Sequence, residues 1–149
     1  MQRNPANIDG LAAHARHMAL TGRLADALPP ARRAISAVSQ TAVPDWFQCV
    51  PALAATLDGG HARAAQLAQT CSRADVELGP ILSMLIAQDI GDTERVGQLL
   101  SQILEVPSFR SAGILTQLRS RITDPGLLER IQTGLIAAGV PAGSLIGPY

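Results

Sequence analysis

Hydrophobic residues recur along the chain with the spacing of amphipathic helices. Between residues 93 and 105, and again between 125 and 138, apolar positions follow the i, i+3, i+4 rule that aligns side chains on one helical face. The two stripes are Val96, Leu99, Leu100, Ile103 and Leu104, then Leu127, Leu128, Ile131, Leu135 and Ile136. Alternation of apolar and polar residues, which indicates a strand, is nearly absent. The pattern therefore predicts an all-α protein without a sheet.

Glycine, proline and capping residues divide the sequence into about eight helices. Gly22, Gly59 and Gly91 each follow an apolar segment and are expected to end a helix. Asp124 followed by Pro125 indicates a helix start, because aspartate caps a helix and proline suits its first position. Further caps are predicted at Asp45 and Ser108. The predicted helices span residues 7–20, 24–38, 45–57, 61–73, 75–89, 93–105, 108–122 and 125–138.

The composition limits both the core and the partners of the protein. The chain has 149 residues, enough for one domain, and only 3% of them are aromatic, so the core must be built from Ala, Leu, Ile and Val. The 12 basic residues balance the 12 acidic ones, which argues against nucleic acid or an anionic membrane as the main partner. The N-terminus lacks the apolar segment of a signal peptide, and glycine and proline interrupt the longest uncharged run, residues 131–149. We therefore expect a cytoplasmic protein with no membrane span.

The residues that could carry chemistry are few and scattered. His14 and His17 share a helix face, yet a zinc site needs three or four ligands, and no short motif joins them to Cys49, His61 or Cys71. Cys49 has no nearby base or oxyanion motif that would make it a nucleophile. The two cysteines could form one disulfide, but their number also fits reduced thiols, and we expect both to be small buried hydrophobes. We expect no metal, no cofactor and no enzymatic activity.

The glycines that end predicted helices indicate an internal repeat. Gly22, Gly59 and Gly91 recur at intervals that bracket the period of about 34 residues typical of a tetratricopeptide repeat (TPR). Small or apolar residues fall into register after each glycine. They are Ala27, Ala31 and Ala34, then Ala64, Ala68 and Cys71, then Val96, Leu100 and Ile103. Over residues 5–107 the chain resembles a TPR-like module, and the segment TGRLADALPPARRAI is similar to the turn and second helix of that family.

The C-terminal part carries a second, narrower resemblance. Residues 109–141 are similar to the end of the repeat-bearing tails of bacterial class III adenylate and guanylate cyclases, and related tails occur on winged-helix transcriptional regulators. The matching residues are Asp124, Pro125, Leu128, Glu129, Arg130, Ala138, Gly139, Val140 and Pro141. The segment VPDWF, residues 43–47, resembles the opening of a middle repeat in those tails. Those proteins carry a catalytic or DNA-binding domain upstream, so we expect this chain to correspond to the accessory tail.

The resemblance implies one TPR-like domain in which antiparallel helix pairs form a right-handed array. Its repeats would span residues 5–39, 44–73 and 75–107, followed by capping helices at 108–141 and a tail at 142–149. The first helix of each pair would line a concave groove. Carried over through the glycine register, the groove-facing positions are Asp9, Arg16, Trp46, Cys49, Ile81, Leu85 and Gln88.

This implied groove predicts a non-catalytic protein–protein interaction module. A peptide or helix of a partner protein would dock there through apolar contacts and a few hydrogen bonds, as an accessory to a bacterial signalling or transcriptional regulator. Two alternatives stay open. Only 16% of the residues are charged, which could leave an apolar face for a homodimer, and an apolar pocket between helices could make the protein a small-molecule sensor.

Overall fold

The computed structural model describes residues 5–39 and 41–149. Within these residues the regular secondary structure is helical and contains no strand, which confirms the predicted all-α class. The ten α-helices found there are α1 (Pro5–Leu20), α2 (Leu24–Ser36), α3 (Cys49–Asp58), α4 (His61–Ser72), α5 (Leu78–Asp89), α6 (Thr93–Leu104), α7 (Pro107–Ala112), α8 (Ile114–Arg119), α9 (Pro125–Ala137) and α10 (Ala142–Ile146). A short 3₁₀ helix, Asp45–Gln48, precedes α3.

Glycines in the left-handed region lie at the turns between successive helices. Gly22, Gly59 and Gly91 have φ values of 95°, 79° and 75°, a conformation that residues with a side chain rarely adopt. The helices α1, α3 and α5 end within two residues of these glycines, as the sequence predicts. The predicted start of α9 is also confirmed, because Asp124 caps the helix through a side-chain hydrogen bond and Pro125 is its first residue.

The predicted helix 108–122 is instead divided into α7 and α8 at Gly113. This residue has a φ of 94°, and a Cβ atom on it would lie 2.5 Å from the backbone nitrogen of Gly147. Only a glycine can therefore occupy this turn beside the C-terminal segment. Ser108 is not the cap of the helix, since α7 begins one residue earlier, at Pro107, and has no side-chain cap. The predicted tail contains a further short helix, α10.

The helices pack on one another in chain order around one large core, and Ala12, Ala34 and Phe47 form a second, smaller cluster. From α1 to α6 each helix contacts the next, and α3 also contacts α1 and α5. Toward the N-terminus this core is rich in alanine, which lets helices approach closely because it adds little bulk at a crossing. The fully buried alanines there are Ala15, Ala27, Ala52, Ala64 and Ala68. From α5 onward the buried residues are mainly leucine and isoleucine.

The segment between α8 and α9 contacts the end of the first helix. The carbonyl oxygen of Leu20, the last residue of α1, accepts hydrogen bonds from the backbone amides of Thr123 and Asp124, at 3.0 and 3.3 Å. The following helix, α9, packs against α5, where the side-chain amide of Gln88 donates to the carbonyl oxygen of Gly134 at 2.7 Å. As a result, α9 covers part of α5, the helix to which the TPR resemblance assigned groove positions.

A buried ion network joins the end of α8 to the start of α5. Arg121 donates to the two carboxylate oxygens of Asp75, at 3.0 and 2.6 Å, and to Glu77 at 3.1 Å. Glu77 also accepts hydrogen bonds from the Ser108 hydroxyl at 2.5 Å and from the Gln117 amide at 2.9 Å. Burial alone raises the pKa of Asp75, but the hydrogen bond from Arg121, two backbone amides and the positive charge of Arg121 outweigh it and lower that pKa.

A disulfide between Cys49 and Cys71 ties the start of α3 to the end of α4. The two Cα atoms lie 4.9 Å apart, within the range that a disulfide spans. Both residues are buried, but they are not the free thiols that their number also allowed. Because disulfides are rare in cytosolic proteins, the cytoplasmic location stays a prediction. None of the described helices has both the length and the apolar character needed to cross a bilayer.

Candidate functional site

The seven groove positions predicted from the sequence do not form one continuous surface. Cys49 and Ile81 lie in the core, and only 3% of Leu85 is exposed, because helices from both ends of the chain pack around α3 and α5. Cys49 and Ile81 therefore offer no free groove in this structure, whereas Leu85 borders the cleft described below. Asp9 is exposed on α1, well apart in sequence from Gln88, which is half-buried at the end of α5.

Arg16 and Trp46 do come together, at the N-terminal end of the array. The guanidinium carbon of Arg16 lies 5.0 Å from the centroid of the Trp46 ring, which is a cation–π contact. Trp46 also packs edge-on against Phe47, with ring centroids 4.7 Å apart. Asp45 is not the side-chain cap predicted from its position, because its carboxylate pairs with Arg73 at 3.2 Å. These contacts hold the 3₁₀ helix against its neighbours.

Leu85 and Gln88 line an open cleft between α5, α6 and α9, which we call the α5–α9 cleft. Its volume is about 690 Å³, within the usual range for small-ligand sites. Much of its wall is formed by glycine and alanine, whose small side chains leave the space open. These small residues are Ala87, Gly91, Gly97, Gly134, Ala137 and Ala138.

Two of the glycines shape the α5–α9 cleft in different ways. A Cβ atom at Gly134 would lie 2.5 Å from a methyl carbon of Leu85 and 3.0 Å from the side-chain oxygen of Gln88. The absence of a side chain at Gly134 thus lets α9 approach α5 closely. A Cβ atom at Gly97 would meet nothing within 4 Å, so this position on α6 borders free space. Gly134 forms the wall of the cleft, and Gly97 leaves room in it.

Polar groups reach the α5–α9 cleft from all three of its helices. Arg130 on α9 donates to Asp89 on α5 at 3.2 Å, and the same carboxylate lies 3.8 Å from the Nε2 atom of His61. Among the described residues, Arg130 Nε is a buried side-chain nitrogen without a hydrogen-bond acceptor. Thr93 and Thr133 are exposed at the rim. Because Asp89 offsets the charge of Arg130, the cleft suits a mostly apolar occupant that offers a few hydrogen bonds.

Groups of three or more His, Cys, Asp or Glu side chains that could hold a metal ion do not occur in residues 5–39 or 41–149. His14 and His17 are exposed on α1. The sulfur of Cys49 is bound to that of Cys71, so Cys49 is not a free thiol. The chemistry that the α5–α9 cleft itself offers is apolar contact and hydrogen bonding.

Sequence reasoning missed the wall that α9 contributes to the cleft, including Arg130 and Thr133. Their location depends on how the C-terminal helices return to α5, which spacing along the chain does not encode. The signal that could have pointed to a close approach is Gly134, an interior glycine in a helix already closed by Gly139. Comparison of the chain with protein families, with curated proteins and with solved structures finds no match.

Proposed function

We propose that the protein is a non-catalytic interaction module that holds a peptide or helix of a partner protein in the α5–α9 cleft. The observation that carries the proposal is the open space beside Gly97, in a cleft whose wall includes Gly134 and which lies between three packed helices. An apolar side chain of the partner would enter this space and lie against Leu85 and Val96. Burying such a side chain contributes about 1.5–3 kcal/mol, enough for one anchor residue to dominate a short interface.

The polar groups of the α5–α9 cleft would orient the bound segment. The hydroxyls of Thr93 and Thr133 lie at the rim, where they can exchange hydrogen bonds with the backbone of a peptide. The guanidinium of Arg130 uses one of its nitrogens for Asp89 and can donate to a carbonyl oxygen with another. An uncharged or weakly charged anchor is favoured, because both signs of charge are already present and paired in the wall.

The packing of helices in chain order supports a TPR-like array as the scaffold of this module. The partner would bind at the edge of α9 and not along the face of α5, since α9 already covers part of that helix. The C-terminal resemblance supports a role as an accessory to a bacterial signalling or transcriptional regulator, and this role is part of the proposal.

A small-molecule sensor is the second candidate function, and the volume of the cleft favours it. A space of about 690 Å³ fits an apolar compound of moderate size as well as it fits a side chain. Thermal-shift screening separates the two candidates. A compound that raises the midpoint of unfolding in the wild-type protein, and not in a variant with a filled cleft, would support the sensor.

Selection of peptides from a displayed random library tests the proposal directly. We expect sequences with a recurring apolar anchor to bind the wild-type protein and to lose binding when Gly97→Trp fills the cleft. Gly10→Trp is the matched control, because Gly10 is also an interior helical glycine whose Cβ would meet nothing within 4 Å, and it lies outside the cleft. Peptides that bind both variants equally well in calorimetric titration would contradict the proposal.

A further inference from the structure

A second groove separates α2 from α4, and we call it the α2–α4 groove. It has a volume of about 710 Å³ and shares no lining residue with the α5–α9 cleft. Helix α3 supplies its floor, and the facing sides of α2 and α4 supply its walls. Its apolar lining consists of Leu28, Ile35, Pro51, Ala54, Ala55 and Leu67.

Two arginines flank this apolar floor from opposite walls. Arg32 extends from α2 and Arg63 from α4, and both are exposed. Neither guanidinium forms an ion pair or a hydrogen bond with another described residue, in contrast to Arg73, Arg121 and Arg130. Two unpaired cations on the two sides of one groove create a positive potential above its apolar floor.

The remaining charges determine the electrostatic potential in the α2–α4 groove and how it varies along the groove. Helix α4 begins at His61, and its N-cap residue Gly60 has no side chain to accept hydrogen bonds from the first-turn amides. The negative end of the α3 dipole lies two residues earlier, at Asp58, and offsets the positive end of the α4 dipole, so the positive potential comes from Arg32 and Arg63. Asp58, the last residue of α3, is the acid in the lining, and it makes the end of the groove beside α4 less favourable for a second acid.

We infer that the α2–α4 groove binds an acidic, amphipathic segment of a protein. Its apolar side chains would cover Ala54 and the flanking leucines, and its carboxylates would pair with Arg32 and Arg63. The whole chain carries a formal net charge of +0, so the positive potential is local. A local potential over an apolar floor fits a discrete peptide better than an anionic membrane, which needs a broad basic surface. Asp58 would set the direction in which the segment lies.

Fluorescence anisotropy with a labelled probe tests this inference. The probe is a peptide of glutamate and leucine at helical spacing, and its counterpart with lysine in place of glutamate is the charge control. We expect the acidic peptide to bind and the double variant Arg32→Gln, Arg63→Gln to weaken binding by about tenfold. A matched double variant, Arg33→Gln with Arg95→Gln, removes two unpaired exposed cations outside the groove and should change the affinity by less than about twofold.

Several outcomes would overturn the assignment, provided that circular dichroism shows each variant to be folded. If the two double variants lost the same affinity for the acidic peptide, the effect would be a general one of positive charge and not specific to the groove. If the lysine peptide bound as tightly as the acidic peptide, the groove would not recognise negative charge. Binding to phosphatidylserine vesicles but not to the peptide would mean that the groove binds a membrane surface. If light scattering instead detected concentration-dependent association that Arg32→Gln and Arg63→Gln each abolished, the occupant would be a second copy of this chain. Asp58→Asn should increase the affinity for the acidic peptide. Gly97→Trp, which fills the α5–α9 cleft, should leave that affinity unchanged. The result of this test is therefore independent of the function proposed for the α5–α9 cleft.

Discussion

Replacing Arg121 with methionine would leave Asp75 and Glu77 largely buried without their cation. Each carboxylate residue is only 9% exposed, and Arg121 gives them three hydrogen bonds of 2.6 to 3.1 Å. Removing one partner of a buried ion pair destabilises a protein by about 3–5 kcal/mol. The Arg121 side chain is 26% exposed, so water can partly replace it, and we expect a loss near the lower limit, about 3 kcal/mol.

The pH dependence of this loss follows from the pKa of Asp75. In the wild-type protein that pKa lies below its ordinary value, so the stability it contributes is present above about pH 4 and disappears as the pH falls through the lowered pKa. Without Arg121, the largest of the causes that lower the pKa of Asp75 is lost, so acid removes less stability from the variant than from the wild-type protein. The difference in stability between the two proteins should therefore be largest near neutral pH and shrink below about pH 4.

Urea unfolding at a series of pH values measures both effects. Arg119→Met is the matched control, since Arg119 is the exposed last residue of α8 and forms no ion pair with a described residue. The free energy of unfolding of Arg119→Met should stay within about 0.5 kcal/mol of the wild-type value at every pH. If Arg121→Met were no less stable than Arg119→Met at neutral pH, or if the difference grew in acid, the network would not hold the C-terminal helices as described.

Two further predictions concern glycine positions and the disulfide. Gly97→Ala should stabilise the protein by about 0.5–1 kcal/mol through helix propensity, whereas Gly79→Ala should destabilise it by about 1–3 kcal/mol, because its Cβ would clash with the backbone of Ser72. Thermal unfolding checks both, and a shift of the same sign in the two variants would contradict the contact argument. Replacing both Cys49 and Cys71 with alanine should lower the free energy of unfolding by about 3 kcal/mol, the loop entropy for a separation of 22 residues. Urea unfolding of the wild-type protein in reducing agent should show a comparable decrease. Unchanged unfolding under reduction would argue against a structural disulfide.

The helices were predictable from the sequence because their signals are local. A glycine in the left-handed region or an aspartate followed by proline acts within one turn of the chain, so Gly59 and Asp124 end and start helices where expected. Gly113 was missed because its conformation is tied to Gly147, and the sequence gives no sign of that contact. The division into α7 and α8 therefore depends on a tertiary contact.

The candidate site was only partly predictable, for the same reason. The glycine register assigned Leu85 and Gln88 to the predicted groove, and both residues line the α5–α9 cleft. Register along a repeat assumes that each helix pair meets only its neighbours, and α9 breaks this assumption by packing on α5. The burial of Ile81 and the disulfide at Cys49 likewise depend on tertiary contacts.

The hydrogen bonds from Thr123 and Asp124 to Leu20 affect how the molecule unfolds. An open chain of repeats can fray one unit at a time from either end, because each unit is held only by the next. Here the end of α1 is bonded to a segment more than half the chain away, so α1 is held by that segment as well as by its neighbours α2 and α3. Hydrogen exchange should consequently report α1 and α9 opening in a single cooperative event, with closely similar protection.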